Sequence, residues 1–189
     1  MNTKETEIQG LLILEPDIFR DERGFFLETW NKERYEKIGI HYSFVQDNIS
    51  FSKKGILRGL HFQYPQPQGK LIQVLSGQVI DIAVDIRIGS PTYGQWHSEM
   101  LSDTNLKQMF VPPGFAHGYC VMSETAIFSY KCTDFYNPST EHGIIWNDPE
   151  LNIDWPIKEP TLSPKDTKYP RLKDMTSDEL PRFEGLQCQ

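Results

Sequence analysis

The segment GQVIDIAVDIR, residues 77–87, carries the clearest pattern in the chain and decides its fold class. Apolar residues take alternate positions and charged residues take most of those between them: Ile80, Ile82, Val84 and Ile86 against Asp81, Asp85 and Arg87. Alternation with a period of two residues is typical of a β-strand with one buried face. The segment therefore predicts a half-buried strand whose charged face is exposed.

Shorter alternating segments flank this strand on both sides, and turn-forming residues such as those at 21–24 and 112–114 separate them. They predict further strands over residues 24–30, 43–52, 56–63, 70–75, 95–101, 107–111, 117–121 and 125–136. Before residue 140 only residues 31–38 predict a helix, with Asn31 at its start and Gly39 at its end. Many short strands with almost no helix indicate an all-β sandwich or small barrel.

The sequence predicts one domain in two parts, over residues 1–189. Residues 1 to about 146 hold N-terminal strands and the strands of the barrel. Residues 147–189 hold six of the thirteen prolines and few apolar pairs. This composition predicts an irregular C-terminal tail that packs on the barrel, with a short helix at residues 177–180.

Charge and hydropathy narrow the function classes. The 189 residues carry a formal net charge of −7, which argues against binding to nucleic acid or to an anionic membrane. No run of eighteen apolar residues occurs, and the N-terminal segment MNTKETEIQG does not resemble a signal peptide. The three cysteines form no Cys-x-x-Cys motif. We therefore expect a cytoplasmic protein without a disulfide framework.

Histidines are the first candidates for chemistry, because their pKa lies nearest neutral pH. There are five, but no His-x-His motif is present, so the sequence predicts no metal site. His61 follows Arg58 closely, and Lys70 lies on the next predicted strand, so all three side chains could face one cavity. Strict alternation puts Arg58 and His61 on opposite faces, and bringing them together requires a bulge, which we place at Gly59. A basic strand pair facing solvent is the alternative.

Two further residues are ambiguous from the sequence alone. Tyr130 shares a strand face with apolar neighbours, so it is either a core tyrosine or an acid directed into a pocket. Asp166 in the tail could orient the imidazole of His61, although nothing in the sequence pairs the two residues.

Eight motifs in order indicate a family. They are FRDERGFF at 19–26, VQDN at 45–48, LRGLH at 57–61, GKL at 69–71, VDIR at 84–87, VPPGFAHG at 111–118, YK at 130–131 and LSPKD at 162–166. By these motifs the chain resembles the dTDP-4-dehydrorhamnose 3,5-epimerase family from about residue 8 to 170. The resemblance implies a cupin-like double-stranded β-helix, or jelly-roll barrel. It also implies epimerisation at C3 and C5 of dTDP-4-dehydro-6-deoxy-D-glucose, which gives dTDP-4-dehydro-L-rhamnose.

The resemblance assigns four catalytic roles and no cofactor. His61 would remove the proton beside the ketone, and Asp166 would orient its imidazole. Lys70 would stabilise the enolate oxygen at C4, and Tyr130 would deliver a proton to C5 from the opposite face.

Ten other positions match residues that bind the nucleotide sugar in the family: Arg23, Glu28, Gln46, Asp47, Asn48, Arg58, His117, Tyr136, Glu141 and Lys165. The resemblance further implies a homodimer in which N-terminal residues, Arg23 and Glu28 among them, reach the partner's site. The chain departs from the family at Phe135, where a second tyrosine is common, and its last six residues carry no functional prediction.

Three competing functions remain open at this point. The first is epimerisation of a single carbon of a related dTDP-4-keto-deoxysugar, and the presence of Tyr130 slightly favours activity at C5. The second is a metal-dependent cupin enzyme. The third is a non-catalytic sensor of sugar nucleotides, which we would expect to lack one of His61, Lys70 or Tyr130.

Overall fold

A computed structural model describes residues 1–183 of the chain. The six residues whose role the sequence left open, 184–189, lie outside the described residues. The strands are, in chain order, β1 (Asn2–Glu5), β2 (Leu12–Glu15), β3 (Ile18–Asp21), β4 (Gly24–Leu27), β5 (Gln46–Lys53), β6 (Leu57–Gln63), β7 (Lys70–Ser76), β8 (Gln78–Asp85), β9 (Trp96–Ser102), β10 (Gln108–Val111), β11 (Phe115–Val121), β12 (Thr125–Cys132) and β13 (Glu141–Gly143). Every predicted strand is present, while β1, β2, β3 and β13 were not located from the sequence.

Two antiparallel sheets form the body of the molecule. One has the strand order β1-β2-β10-β7-β12-β5 and the other β13-β6-β11-β8-β9. Their inner faces share one apolar core, in which Ile72 and Phe128 of the first sheet lie in the same cluster as Ala83 and Tyr119 of the second. The predicted all-β, jelly-roll class is confirmed. Strands β3 and β4 form a separate two-stranded hairpin.

Strand β8 corrects one prediction, because it is buried on both faces. Ile82 and Val84 point outward but are covered by tail residues such as Trp155 and Leu172, which form a second core with them. The carboxylates of Asp81 and Asp85 are fully buried rather than exposed. Acidic residues are buried in this way when they are paired, and both are paired in this structure. The alternation identified the strand correctly but not its exposure.

The local helices also differ in part from expectation. Helix α1 (Lys32–Glu36) begins where predicted, with the Asn31 side chain accepting a hydrogen bond from the backbone N–H of Arg34. The prediction of a short helix at residues 177–180 is wrong, because these residues form a turn. The Glu179 carboxylate accepts a hydrogen bond from the backbone N–H of Thr176 and so closes the turn. The following proline, Pro181, disfavours helical backbone at the residue before it. Short 3-10 helices lie instead at Asp166–Lys168 and Leu172–Asp174.

Within residues 1–183, none of the helices is long and apolar enough to cross a membrane.

Candidate active site

A cavity of about 270 Å³ opens between the two sheets. Strands β5, β7 and β12 of one sheet and β6 and β13 of the other contribute to its wall. The residues lining it are Gln46, Asn48, His61, Phe62, Gln63, Gln68, Lys70, Tyr130, Tyr136 and Glu141. Three of the four predicted catalytic residues therefore face one space, although they lie on three different strands.

The fourth predicted catalytic residue reaches His61 from the tail. Asp166 begins a 3-10 helix, and its carboxylate oxygen Oδ1 lies 2.7 Å from Nε2 of His61. Burial alone would raise the pKa of Asp166, but the hydrogen bond and charge of His61, together with hydrogen bonds from Ser163 and Gly59, outweigh it and hold the pKa below its usual value. Because an ionised carboxylate only accepts hydrogen bonds, Nε2 of His61 carries the proton and Nδ1 is left free to accept one.

A bulge in β6 places Arg58 and His61 on the same side, as predicted. Strand β11 pairs His117 with His61 and Tyr119 with Arg58, so Gly59 and Leu60 together oppose one residue. Gly59 has a φ of +137°, and a Cβ there would lie 2.5 Å from the Cα of Gly118. Only glycine fits both the backbone angle and the close approach of the two strands.

Burial shifts the pKa values of Lys70 and Tyr130 in opposite directions. Desolvation lowers the pKa of the Lys70 ammonium, although the carboxylates of Asp81 and Glu141 oppose the shift. Burial raises the pKa of Tyr130 to about 12, so the phenol keeps its proton throughout the neutral range. The backbone register places Tyr130 opposite both Asn48 and Ile72, and Cys132 opposite Lys70.

His117 is buried and does not line the cavity. Its Nε2 is 2.8 Å from Oδ1 of Asp81, and both side chains are buried. Burial raises the pKa of Asp81 and lowers that of His117. No sequence pattern connects Asp81 with the site, because a carboxylate in an alternating strand suggests the solvent face.

Several predicted binding residues surround the cavity in a linked network. The Glu141 carboxylate accepts hydrogen bonds from the Tyr136 hydroxyl at 2.9 Å and the Lys165 ammonium at 2.7 Å. The Gln46 side chain accepts one from the backbone N–H of Tyr136. Arg58 lies with His61, Lys165 and Asp166 along an adjoining groove.

Besides His117, three predicted binding residues line neither this cavity nor the adjoining groove. Arg23, at the tip of the β3–β4 hairpin, is exposed and paired with Asp21. Glu28 is paired with Arg34. Asp47 is exposed and paired with Lys131. One chain by itself therefore brings together His61, Lys70, Tyr130 and Asp166, but not Arg23, Glu28 or Asp47.

Among residues 1–183, no three His, Cys, Asp or Glu side chains are grouped so that they could hold a metal ion.

The antiparallel barrel and the side chains in its cavity define the class of this protein, a cupin-type enzyme equipped for acid–base chemistry. Comparison with known proteins gives the family. The family model described as dTDP-4-dehydrorhamnose 3,5-epimerase matches residues 5–174. The chain belongs to the dTDP-4-dehydrorhamnose 3,5-epimerase family.

Individual relatives agree with the family model. The dTDP-4-dehydrorhamnose 3,5-epimerase of Pseudomonas aeruginosa is 52% identical over 92% of this chain and 97% of its own length. That of Shigella flexneri is 49% identical over the same shares. A crystal structure of the 3,5-epimerase RmlC from Legionella pneumophila, in complex with dTDP-4-keto-L-rhamnose, is 52% identical with a TM-score of 0.95. It covers 97% of this chain and 99% of that one.

Proposed function

We propose that this protein epimerises C3 and C5 of dTDP-4-dehydro-6-deoxy-D-glucose, without a cofactor, to give dTDP-4-dehydro-L-rhamnose. The observation that carries the proposal is the single cavity into which His61, Lys70 and Tyr130 all project, with Asp166 hydrogen-bonded to His61. Family membership indicates the substrate, and the cavity contains the chemical groups that the reaction needs.

The reaction begins with removal of a proton from the carbon beside the C4 ketone. Nδ1 of His61 takes the proton, and the resulting imidazolium is stabilised by the Asp166 carboxylate. The electrons of the broken C–H bond move onto the C4 oxygen, where the Lys70 ammonium stabilises the enolate. One such fixed donor commonly lowers a transition-state barrier by about 3–4 kcal/mol.

Inversion requires that the carbon regain a proton on its opposite face. Tyr130 delivers this proton at C5 and water delivers it at C3, and in each case the C4 ketone re-forms as the electrons return. The His61 imidazolium then loses its proton to water, and the Tyr130 phenolate regains one. No oxidation or reduction occurs in this sequence.

The charged side chains around the cavity suit the nucleotide diphosphate. Arg58 and Lys165 supply cations at the groove next to His61, which an acidic protein needs in order to hold a diphosphate. We propose substrate-binding roles for these two residues, for the cavity residues Gln46, Asn48, Tyr136 and Glu141, and for His117. Because Asp166 in the tail completes the site, we also propose that barrel and tail act as one domain.

We further propose a homodimer in which the β3–β4 hairpin of each protomer reaches the partner's cavity. The hairpin exposes three aromatic rings, those of Phe19, Phe25 and Phe26. Exposed apolar groups this close together are typical of an interaction surface. The hairpin also carries Arg23, which does not line the cavity of its own chain. Association would bring Arg23, with Glu28 just beyond the hairpin, to a site that one chain leaves incomplete.

The proposed reaction is tested by proton exchange. The protein is incubated with dTDP-4-dehydro-6-deoxy-D-glucose in deuterated water, with His61→Ala as the matched control, and the sugar is followed by proton NMR. We expect deuterium at both C3 and C5 with the wild type and at neither carbon with the control. Exchange at C3 alone would replace the proposal with a single-carbon epimerase, and no exchange would refute it.

A further inference from the structure

Tyr169, in the tail, lies beside the proposed base and has no role so far. Its ring stands edge-on to the His61 imidazole, with 5.8 Å between the ring centroids and 68° between the planes. It follows Asp166 by three residues, immediately after the 3-10 helix Asp166–Lys168. Side chains three residues apart lie on one face of such a helix. One turn of the tail therefore brings both Asp166 and Tyr169 to the same imidazole.

The hydrogen bond to Asp166 does not by itself fix the imidazole. It holds Nε2 of His61 at one point, but the ring of a histidine rotates in a broad torsional well about its last bond. A second contact on the side of the ring is needed to set its tilt. The Tyr169 ring provides that contact.

Gly143 provides the space in which the Tyr169 ring lies. Gly143 pairs directly with His61 across strands β13 and β6. A Cβ on Gly143 would lie 2.4–2.5 Å from three carbon atoms of the Tyr169 ring. The backbone of Gly143 is not left-handed, so glycine is needed here for space and not for its conformational freedom. The missing side chain opposite His61 is replaced by the tyrosine ring.

The tail backbone is held on both sides of Tyr169. The backbone N–H of Ile145, just beyond β13, donates to the carbonyl of Pro170 at 2.8 Å. The backbone N–H of Asp166 donates to Oγ of Ser163 at 3.2 Å. Because β13 pairs with β6, the position of the Tyr169 ring is set relative to the strand that carries His61.

The hydroxyl group of Tyr169 is not the part that acts. It is buried and makes no hydrogen bond within 3.5 Å among residues 1–183, although the Lys165 ammonium lies near it. Burial and the charge of the nearby Glu141 carboxylate raise the pKa of Tyr169 to about 12, against the opposing effect of the Lys165 ammonium, so the phenol stays neutral. Tyr169 also does not line the cavity. The aromatic ring is left as the functional part.

We propose that Tyr169 is a positioning residue whose ring, seated on Gly143, holds the His61 imidazole in the orientation that removes the substrate proton. This role deepens the proposed epimerase reaction and rests on it. Asp166 fixes which nitrogen carries the proton, and Tyr169 fixes where the other nitrogen points.

The test compares Tyr169→Phe, which keeps the ring, with Tyr169→Ala, which removes it. Small misplacements of a catalytic group cost rate rather than binding, so we expect Tyr169→Ala to lower kcat about tenfold with KM changed by less than about twofold. Tyr169→Phe should remain within about twofold of the wild type. Equal kcat in Tyr169→Ala and wild type would overturn the proposal, as would an equal loss in Tyr169→Phe.

A second variant approaches the same contact from the other side. Gly143→Ala pushes a methyl group against the ring and should also lower kcat, but it should lower kcat no further in the Tyr169→Ala background. The single variant Gly143→Ala still tests the contact if Tyr169→Ala folds poorly. Leu172→Ala is the matched control, because it removes a buried tail side chain that belongs to the second core, between β8 and the tail. It should lower the melting temperature while kcat is unchanged, and a tenfold loss of kcat in this control would refute a specific role for Tyr169.

NMR separates this proposal from the proposed function. The proton on Nε2 of His61, hydrogen-bonded to Asp166, should give a resolved low-field signal in wild type and Tyr169→Phe and should broaden in Tyr169→Ala. An inactive wild-type protein would refute the epimerase function but leave this signal readable. A signal unchanged in Tyr169→Ala would refute the positioning role whatever the activity.

Discussion

The phenol of Tyr130 provides a test of the acid at the level of one hydroxyl group. Its high pKa, about 12, keeps it protonated at neutral pH. In Tyr130→Phe we expect inversion at C5 to fall about 10²–10⁴-fold, the usual contribution of a positioned acid. Exchange of the C3 proton should continue, because it depends on His61. Deuterium incorporation at each carbon is measured by NMR. C5 inversion at the wild-type rate would refute the role given to Tyr130.

Lys70 predicts how activity depends on alkaline pH. Desolvation lowers its pKa from the usual value of 10.5, so the ammonium that stabilises the enolate is present below the lowered pKa and is lost as pH rises through it. Activity should therefore decline before pH 10.5, while Tyr130 is still protonated. In Lys70→Arg the guanidinium stays charged, so the decline should disappear even though the rate is lower. Circular dichroism at each pH checks that the protein is folded, and an unchanged decline in Lys70→Arg would contradict the assignment.

At the scale of elements, the bulge in β6 predicts a large effect of Gly59→Ala. The substitution combines a left-handed φ of +137° with a Cβ 2.5 Å from the Cα of Gly118, so the two strands must separate. We expect the free energy of unfolding to fall by about 3 kcal/mol or more. Because separation also changes the positions of Arg58 and His61, kcat should fall as well. Urea unfolding and steady-state kinetics measure the two effects.

Gly39→Ala is the matched control for this prediction. Gly39 is also left-handed, with a φ of +89°, but nothing lies within 4 Å of its Cβ position. Gly39→Ala should lower the free energy of unfolding only by the cost of a left-handed backbone, about 1 kcal/mol, and should leave kcat unchanged. Equal destabilisation by the two substitutions would show that the approach of β6 to β11 contributes nothing.

The strands differ in how far the sequence could predict them. Long alternating segments such as β8 and β12 were predictable, because the eight residues of each carry a clear period. Strand β13 has three residues, too few to show a period, and its position depends on pairing with β6. The exposure of β8 was mispredicted because the partner of Asp81 is His117, 36 residues away, and the cover over its other face is the tail.

In the site too, features that depend on neighbouring residues could be anticipated from the sequence, and contacts between distant residues could not. Local pattern gave the bulge at Gly59 only as the condition on which Arg58 and His61 could share a face, and the register of β6 against β11 shows that this condition is met. The pairing of His61 with Asp166 spans 105 residues, and no local pattern encodes it. The sequence connected them only through resemblance to the family. Tyr169 and Gly143 carried no signal at all, because each looks ordinary until the tail is folded onto β13.

At the scale of the whole molecule, the proposed dimer predicts that two defective chains repair each other. Arg23→Ala and His61→Ala should each have low activity, one through loss of substrate binding and the other through loss of the base. The two variants are mixed in equal amounts, their dimers are dissociated reversibly, and the chains are allowed to associate again. If Arg23 serves the partner's cavity, each mixed dimer contains one site with His61 from one chain and Arg23 from the other.

The size of the repair follows from counting sites. Random association in a two-fold dimer makes about half of the dimers mixed, each with one intact site of two, so activity should return to about a quarter of the wild-type value. If Arg23 served its own chain, every site would lack either Arg23 or His61 and mixing would restore nothing. Sedimentation confirms that dimers re-form, and the matched control mixes His61→Ala with Lys70→Ala. Both of these residues line the cavity of their own chain, so that mixture should stay inactive. Recovery in the first mixture but not the second would establish that the hairpin crosses to the neighbouring protomer, and that the dimer is the catalytic unit.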